Sequence, residues 1–263
     1  MIRSLANRSA GHGYQARMFR LVPLPGVLLA PGYAWLSVAR ARTGEPAHGL
    51  RSVTMSQIAE QTGIIGEIGD WVVAEVAALV ASWNESGARR KRVAFNVSPR
   101  QLDRADFITR LRQTFAEAGV PLSQIELEFT ESAAMECSDL VMAEIAALRA
   151  DGATIALDDF GTGYSNIARL RTMPLDRVKL DPSLIADIEH CERARVVVQA
   201  VVQLIHGVGC EIVAEAVETV AQADLLRTMG CQVVQGYVFA HPMYEDEFLD
   251  WIVNADRGSR SAA

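Results

Sequence analysis

The sequence predicts an α/β protein of repeated βα units around a parallel sheet, and three observations carry that expectation. From residue 55 onward, short β-branched runs alternate with longer helical patterns, as the strands and crossover helices of a parallel sheet must. Gly207, Gly209 and Gly230 fall where helices should stop, because a residue without Cβ closes a helix at no steric cost. Each candidate strand also carries a polar residue at or near its end, the place where a parallel barrel gathers its ligand-binding groups.

The elements follow in order. Residues 21–35 are apolar, but Pro23, Pro25, Gly26, Pro31 and Gly32 interrupt them, so they read as strand and turn. The same prolines break any signal-peptide core, despite the basic lead of Arg3, Arg8, Arg17 and Arg20. A helix is predicted over 68–83 and a strand over 93–97, then a helix over 105–118 and a strand over 125–130. A helix over 140–149 leads to a strand over 154–157, and a further strand covers 177–180. The last units pair a helix over 192–207 with a strand over 211–214, and a helix over 220–229 with a strand over 232–235. In the helix from Glu192, the residues Val196, Val197, Ala200, Val201 and Leu204 recur at i, i+1, i+4, i+5 and i+8, predicting the face that packs on the sheet. Residues 1–54 are the least regular, and residues 255–263 are small and polar, a tail predicted to fray. No linker divides the chain, so one domain over residues 1–254 is the simplest organisation.

With 263 residues, half of them apolar, the chain can bury a barrel-sized core. A net charge of −7 argues against a DNA partner, whose backbone requires clustered Lys and Arg. An anionic ligand would need a metal or local cations. The cysteines Cys137, Cys191, Cys210 and Cys231 show no CxxC spacing and sit in or beside apolar stretches, as buried free thiols of a reducing cytoplasm do. No run reaches the roughly 18–20 apolar residues that a membrane span needs, so no membrane insertion is expected.

The polar residues at the strand ends are Asn96, Glu128, Asp158, Asp159, Lys179, Glu215 and Gln235. Singly, each has a plain structural alternative: Asn96 could cap a turn, Glu131 could sit in a first helical turn, Asp158 and Asp159 could cap the segment after Gly163, and Lys179 could be solvated. Together they are harder to explain that way. Two like charges about 4 Å apart cost about 4 kcal/mol at an effective dielectric of about 20, so four carboxylates at one mouth call for cations among them. Hard oxygen ligands with no His or Cys point to Mg²⁺, Mn²⁺ or Ca²⁺ over zinc. Such ions can bridge a phosphoryl oxygen, lower the pKa of a bound water and stabilise charge in an in-line displacement.

At these residues the chain resembles the EAL family of cyclic di-GMP phosphodiesterases. The resemblance covers about residues 55–252 and rests on AEQTGIIGEIGDWVV, FNVSPRQL, ELEFTES, ALDDFGTGYSN, PLDRVKLD, VAEAVET and CQVVQGYVFAHP, in the family's order. It implies a modified TIM-type (β/α)8 barrel that hydrolyses cyclic di-GMP to linear pGpG with Mg²⁺ or Mn²⁺. Carried over by position, Asn96, Glu128, Asp158, Asp159 and Glu215 resemble the metal ligands, and Lys179 resembles the lysine that orients the attacking water. Glu131 resembles the glutamate that anchors the DDFGTGYSN loop, while Asp181, Glu218 and Gln235 resemble residues lining the ligand site. The resemblance also implies a homodimer through the region after DDFGTGYSN, where residues 166–171 are available.

The N-terminal part departs from the family. PGYAWLSVA stands where a glycine-aromatic-EAL strand belongs, which puts Ala34 at the metal-binding glutamate and Val38 at the phosphate-contacting arginine. AEAVE differs from the usual AEGVE at Ala216, a mild change. Loss of an anionic ligand should weaken a metal site or reduce it to a single ion, and loss of the arginine removes a charge-assisted phosphate contact. Three readings follow: a cyclic di-GMP receptor with weak or no hydrolysis, a working phosphodiesterase with a rearranged first site, and a protein-interaction domain that binds no nucleotide.

Overall fold

A computed structural model describes residues 18–20, 33–37, 59–85, 92–162, 167–241, 247, 248 and 251, the first two segments and residue 167 by backbone alone. The predicted frayed tail, the proline-rich stretch before Tyr33, Gln15, Val38 and residues 163–166 lie outside the described residues.

The chain forms β1 (Met18–Arg20), β2 (Tyr33–Ser37), α1 (Ile65–Glu85), β3 (Arg92–Asn96), α2 (Pro99–Leu102), α3 (Phe107–Glu117), β4 (Ile125–Thr130), α4 (Glu131–Glu136) and α5 (Asp139–Ala150). There follow β5 (Thr154–Phe160), α6 (Ile167–Leu170), β6 (Arg177–Leu180), α7 (Pro182–Ile185), α8 (Glu192–Gly207), β7 (Glu211–Ala214), α9 (Val220–Thr228) and β8 (Val233–Val234). The strands make one eight-stranded sheet in the order β1 to β8. β1 pairs antiparallel with β2 and every later pair is parallel, a curled sheet that departs from an ordinary (β/α)8 barrel at its first strand.

Alternation along each strand sorts the residues into two environments. On β4, Ile125, Leu127 and Phe129 join the core between sheet and helices, so Glu126 and Glu128 occupy the opposite, inner face. The parallel registers carry that inner face across the sheet: Asn96 lies beside Glu128, Ala156 beside Arg177, and Arg177 beside Glu211.

The helices are where the sequence predicts them, with one correction. On α8 the residues buried against the sheet are Val198, Val202 and Ile205, whereas Val196 is 63% and Val197 49% exposed. A valine-rich helix carries two adjacent apolar stripes, and periodicity cannot say which one the sheet covers. All four cysteines are free, as predicted, with Cys137, Cys210 and Cys231 buried. No helix among the described residues is long and apolar enough to cross a membrane.

Candidate functional site

The residues at the C-terminal ends of β4 to β7 meet at one point. Lys179 Nζ lies 2.9 Å from Glu128 Oε1, 2.8 Å from Asp158 Oδ1 and 2.8 Å from Glu215 Oε1. All four side chains are buried, and Lys179 is only 3% exposed, so the lysine is not the solvated residue that a plain reading would make it. Glu128 Oε1 and Asp158 Oδ1 have no hydrogen-bond donor among the described residues besides this ammonium.

Among the described residues one cation, Lys179, meets three carboxyls directly with Asp159 beside them, and the surplus of negative charge shows in their pKa values. Burial pushes the Glu128 carboxyl up to about 8, with Lys179 pulling it down and Asp158 and Glu215 pushing it further up. Burial likewise raises Asp159 to about 6, assisted by Asp158, Glu215 and Asp181. The Lys179 ammonium, against its own desolvation, is held charged by Glu128, Glu215 and Asp158.

Local backbone geometry aims these groups. The only non-glycine residues with positive φ among those described are Asp159 (φ 55) and Ala216 (φ 51), and each directly follows a carboxylate of the cluster. A left-handed residue turns the chain sharply as it leaves the strand, and the β5–β6 register shifts between Leu157 and Phe160. Aspartate tolerates this conformation better than alanine does, so Ala216 is a more costly change than its chemistry suggests. Gly236 is required for a different reason: a Cβ there would lie 2.0 Å from the carbonyl oxygen of Val217. That close crossing sets Gln235, 3% exposed, beside the cluster strand, with its backbone N–H donating to Ala214 O and its carbonyl accepting from Val217 N–H. Gln235 Oε1 is buried with no hydrogen-bond partner among the described residues.

The remaining predicted residues fall around this centre. Glu131 is buried, and its Oε2 accepts from the Gly161 backbone N–H at 3.2 Å. Asp181 caps α7, accepting from Ser183 N–H at 2.8 Å, which gives it a structural role whatever else it does. Asn96 is exposed at the end of β3, and Glu218 is exposed beyond β7. Ala34 pairs with Val93, three residues before Asn96 on β3. Among the described residues no three His, Cys, Asp or Glu side chains converge at metal-ligand spacing, since the Lys179 ammonium stands between Glu128, Asp158 and Glu215.

Sequence reasoning missed a second charged layer below the first. Arg177, 2% exposed, pairs with Glu126 Oε2 at 2.9 Å and with Glu211 Oε2 at 2.5 Å, while Arg92 lies 3.8 Å from Glu126. Burial raises the Glu126 carboxyl, opposed by Arg177 and Arg92. The signal was present in strand parity, because Glu126 and Arg177 stand two residues before Glu128 and Lys179, on the same face.

The EAL domain family model matches residues 38–242. Cyclic di-GMP phosphodiesterase NbdA of Pseudomonas aeruginosa is 36% identical over 220 residues, 83% of this chain and 28% of that protein. The PaMucR phosphodiesterase in its c-di-GMP complex superposes with a TM-score of 0.76 at 30% identity, covering 94% of this chain and 100% of that one. BlrP1 of Klebsiella pneumoniae, solved as a manganese/cy-diGMP complex, superposes with a TM-score of 0.69 at 25% identity, covering 86% of this chain and 55% of that one. The chain spans between about a quarter and two fifths of the length of the curated relatives it matches. With the family's motifs on the strand ends of a barrel of the family's shape, the chain belongs to the EAL domain family.

Proposed function

We propose that this chain is a receptor or regulatory domain that binds cyclic di-GMP at the C-terminal mouth of its barrel and hydrolyses it slowly or not at all. The observation that carries the reading is the unbalanced charge at that mouth: among the described residues, the Lys179 ammonium contacts three carboxyls, with the Asp159 carboxyl beside them. Without another cation such a mouth would repel a phosphodiester, and the raised pKa values of Glu128 and Asp159, which let these carboxyls hold protons, are the protein's own partial remedy. A divalent ion is the stronger remedy. The donors suit Mg²⁺ or Mn²⁺, being hard oxygens with two buried atoms lacking any donor but an ammonium. Asn96, Glu128, Asp158, Asp159 and Glu215 would hold it, and when bound it would lower the pKa of a water and polarise a phosphoryl oxygen. Lys179 holds three carboxylates in one place and supplies a fixed positive charge; Gln235 offers an unpartnered carbonyl oxygen to a ligand donor.

Weak turnover follows from what the N-terminal strand lacks. Alanine at position 34 supplies no anionic ligand, and valine at position 38 supplies no phosphate contact. Loss of even an outer-shell partner costs about 10- to 100-fold in metal affinity or activity. Incubation with cyclic di-GMP and Mn²⁺ should therefore yield pGpG very slowly, and Ala34→Glu, alone or with Val38→Arg, should raise the rate. Rapid turnover by the unaltered protein would reject the receptor reading. It would establish instead a working phosphodiesterase, a reading that the intact carboxylate–lysine cluster favours.

A further inference from the structure

The carboxylate cluster is held from one side by a route that runs through α4. This helix begins at Glu131, directly after the last residue of β4 and three residues beyond Glu128, and has only six residues, too few to be stable alone. Its first turn is capped by Thr130 Oγ1, which accepts from Ala133 N–H at 3.3 Å. Its last carbonyls have no partner within the helix, and they are met by a residue from elsewhere. Arg169 Nε donates to Ala134 O at 3.2 Å, and Arg169 Nη2 donates to Cys137 O at 2.5 Å. A guanidinium spans two carbonyls with a rigid fork and opposes the negative end of the helix, which an ammonium does less well.

At the other end of α4, Glu131 Oε2 accepts from Gly161 N–H. Gly161 follows the turn that carries Asp158 and Asp159, and that turn is tight: Asp159 has φ 55, and its carbonyl accepts from Thr162 Oγ1 at 3.0 Å. On its far side Gly161 packs against α7, where a Cβ would meet Leu184 Cδ1 at 2.5 Å. Gly161 and Arg169 thus attach to opposite ends of the same short helix.

We infer that Arg169 is a positioning residue for the nucleotide site, acting through α4: it fixes the C-terminal end of that helix so that Glu131, at the N-terminal end, keeps Gly161 and the Asp158–Asp159 turn in register with Lys179. The hydrogen bonds that Arg169 makes to α4 end at Ala134 O and Cys137 O, so along this route its effect reaches the cluster by packing and hydrogen bonds. The inference rests on the cyclic di-GMP reading for its ligand, and not for the clamp itself.

Two measurements on the full chain test it. Calorimetry with cyclic di-GMP and Mn²⁺ should show affinity reduced about 10-fold or more in Arg169→Met and in Glu131→Gln, the range of outer-shell losses. The double variant should be no worse than the weaker-binding single, because both break one pathway. Arg169→Lys, which keeps the charge but not the fork, should fall between, and it carries the test if Arg169→Met fails to fold. Hydrogen exchange of the Gly161 amide should accelerate in both Arg169 variants, although the Arg169 hydrogen bonds to α4 go to Ala134 O and Cys137 O and not to that amide. Wild-type-like affinity in the Arg169 variants, or losses that multiply in the double variant, would overturn the clamp, as would a lowered Tm with binding and Gly161 exchange unchanged. If the unaltered protein binds no cyclic di-GMP, the ligand reading fails, and the Gly161 exchange rates alone decide for or against the clamp.

Discussion

Ala216 shows how one residue type can conceal a backbone problem. By chemistry, alanine between Glu215 and Val217 is a mild replacement, yet its φ of 51 lies in the left-handed region, where a Cβ costs roughly 1–2 kcal/mol. Glycine removes that cost at some loss of unfolded-state entropy. Ala216→Gly should therefore stabilise the fold by about 1 kcal/mol, read as a rise in Tm of roughly 2–4 °C for a chain of this size; an unchanged or lowered Tm would mean that the strain is relieved elsewhere. Glu128 makes a second residue-scale case. Its folded pKa of about 8 lies above the ordinary value of 4.5, so the folded state holds its proton more tightly than the unfolded chain does. Stability from this group is full below about pH 4.5 and is lost as pH rises towards 8. In chelator-treated protein, Glu128→Gln should flatten the fall in denaturation midpoint across that window. A slope identical to wild type would show that another group carries the proton.

At the level of elements, α8 separates pattern from packing. Its apolar residues form two neighbouring stripes, and the sheet covers Val198, Val202 and Ile205 while leaving Val196 and Val197 largely exposed. Large-to-small changes on the covered stripe remove buried methylenes and leave a cavity. Ile205→Ala should cost about 2–5 kcal/mol, whereas Val196→Ala should stay within about 0.5 kcal/mol. Urea denaturation of the two variants distinguishes the stripes, and equal losses would contradict the observed packing. The short helices α2, α4 and α7 teach the same lesson from the other side. Each is too brief to announce itself by periodicity, but each begins at a capping side chain supplied by Ser98, Thr130 or Asp181. These caps stand at or within two residues of the ends of strands β3, β4 and β6, so they tie the helices to the rim where the site is built.

For the whole molecule, the inner face of the sheet carries two charged layers: Arg177 with Glu126 and Glu211 below, and Lys179 with Glu128, Asp158 and Glu215 above. The lower layer is close to balanced once Arg92 is counted, while the upper layer keeps an excess of negative charge for a ligand or ion to meet. Cyclic di-GMP binding should accordingly weaken when divalent ions are chelated, and calorimetry with and without Mn²⁺ checks this; tight binding indifferent to chelation would show that Lys179 and protons suffice. The sequence by itself determined the βα order, the polar residues at the strand ends and the family, because alternation, residue type and motif order are properties of one continuous chain. It also held alanine at position 216, between Glu215 and Val217. Only the tertiary structure decided that Lys179 sits between three carboxylates, that Arg177 forms a layer beneath it, that Ala216 is strained and which stripe of α8 is covered. Those facts depend on how far each strand is shifted against its neighbours and how tightly the sheet curls, which no spacing within a single strand contains.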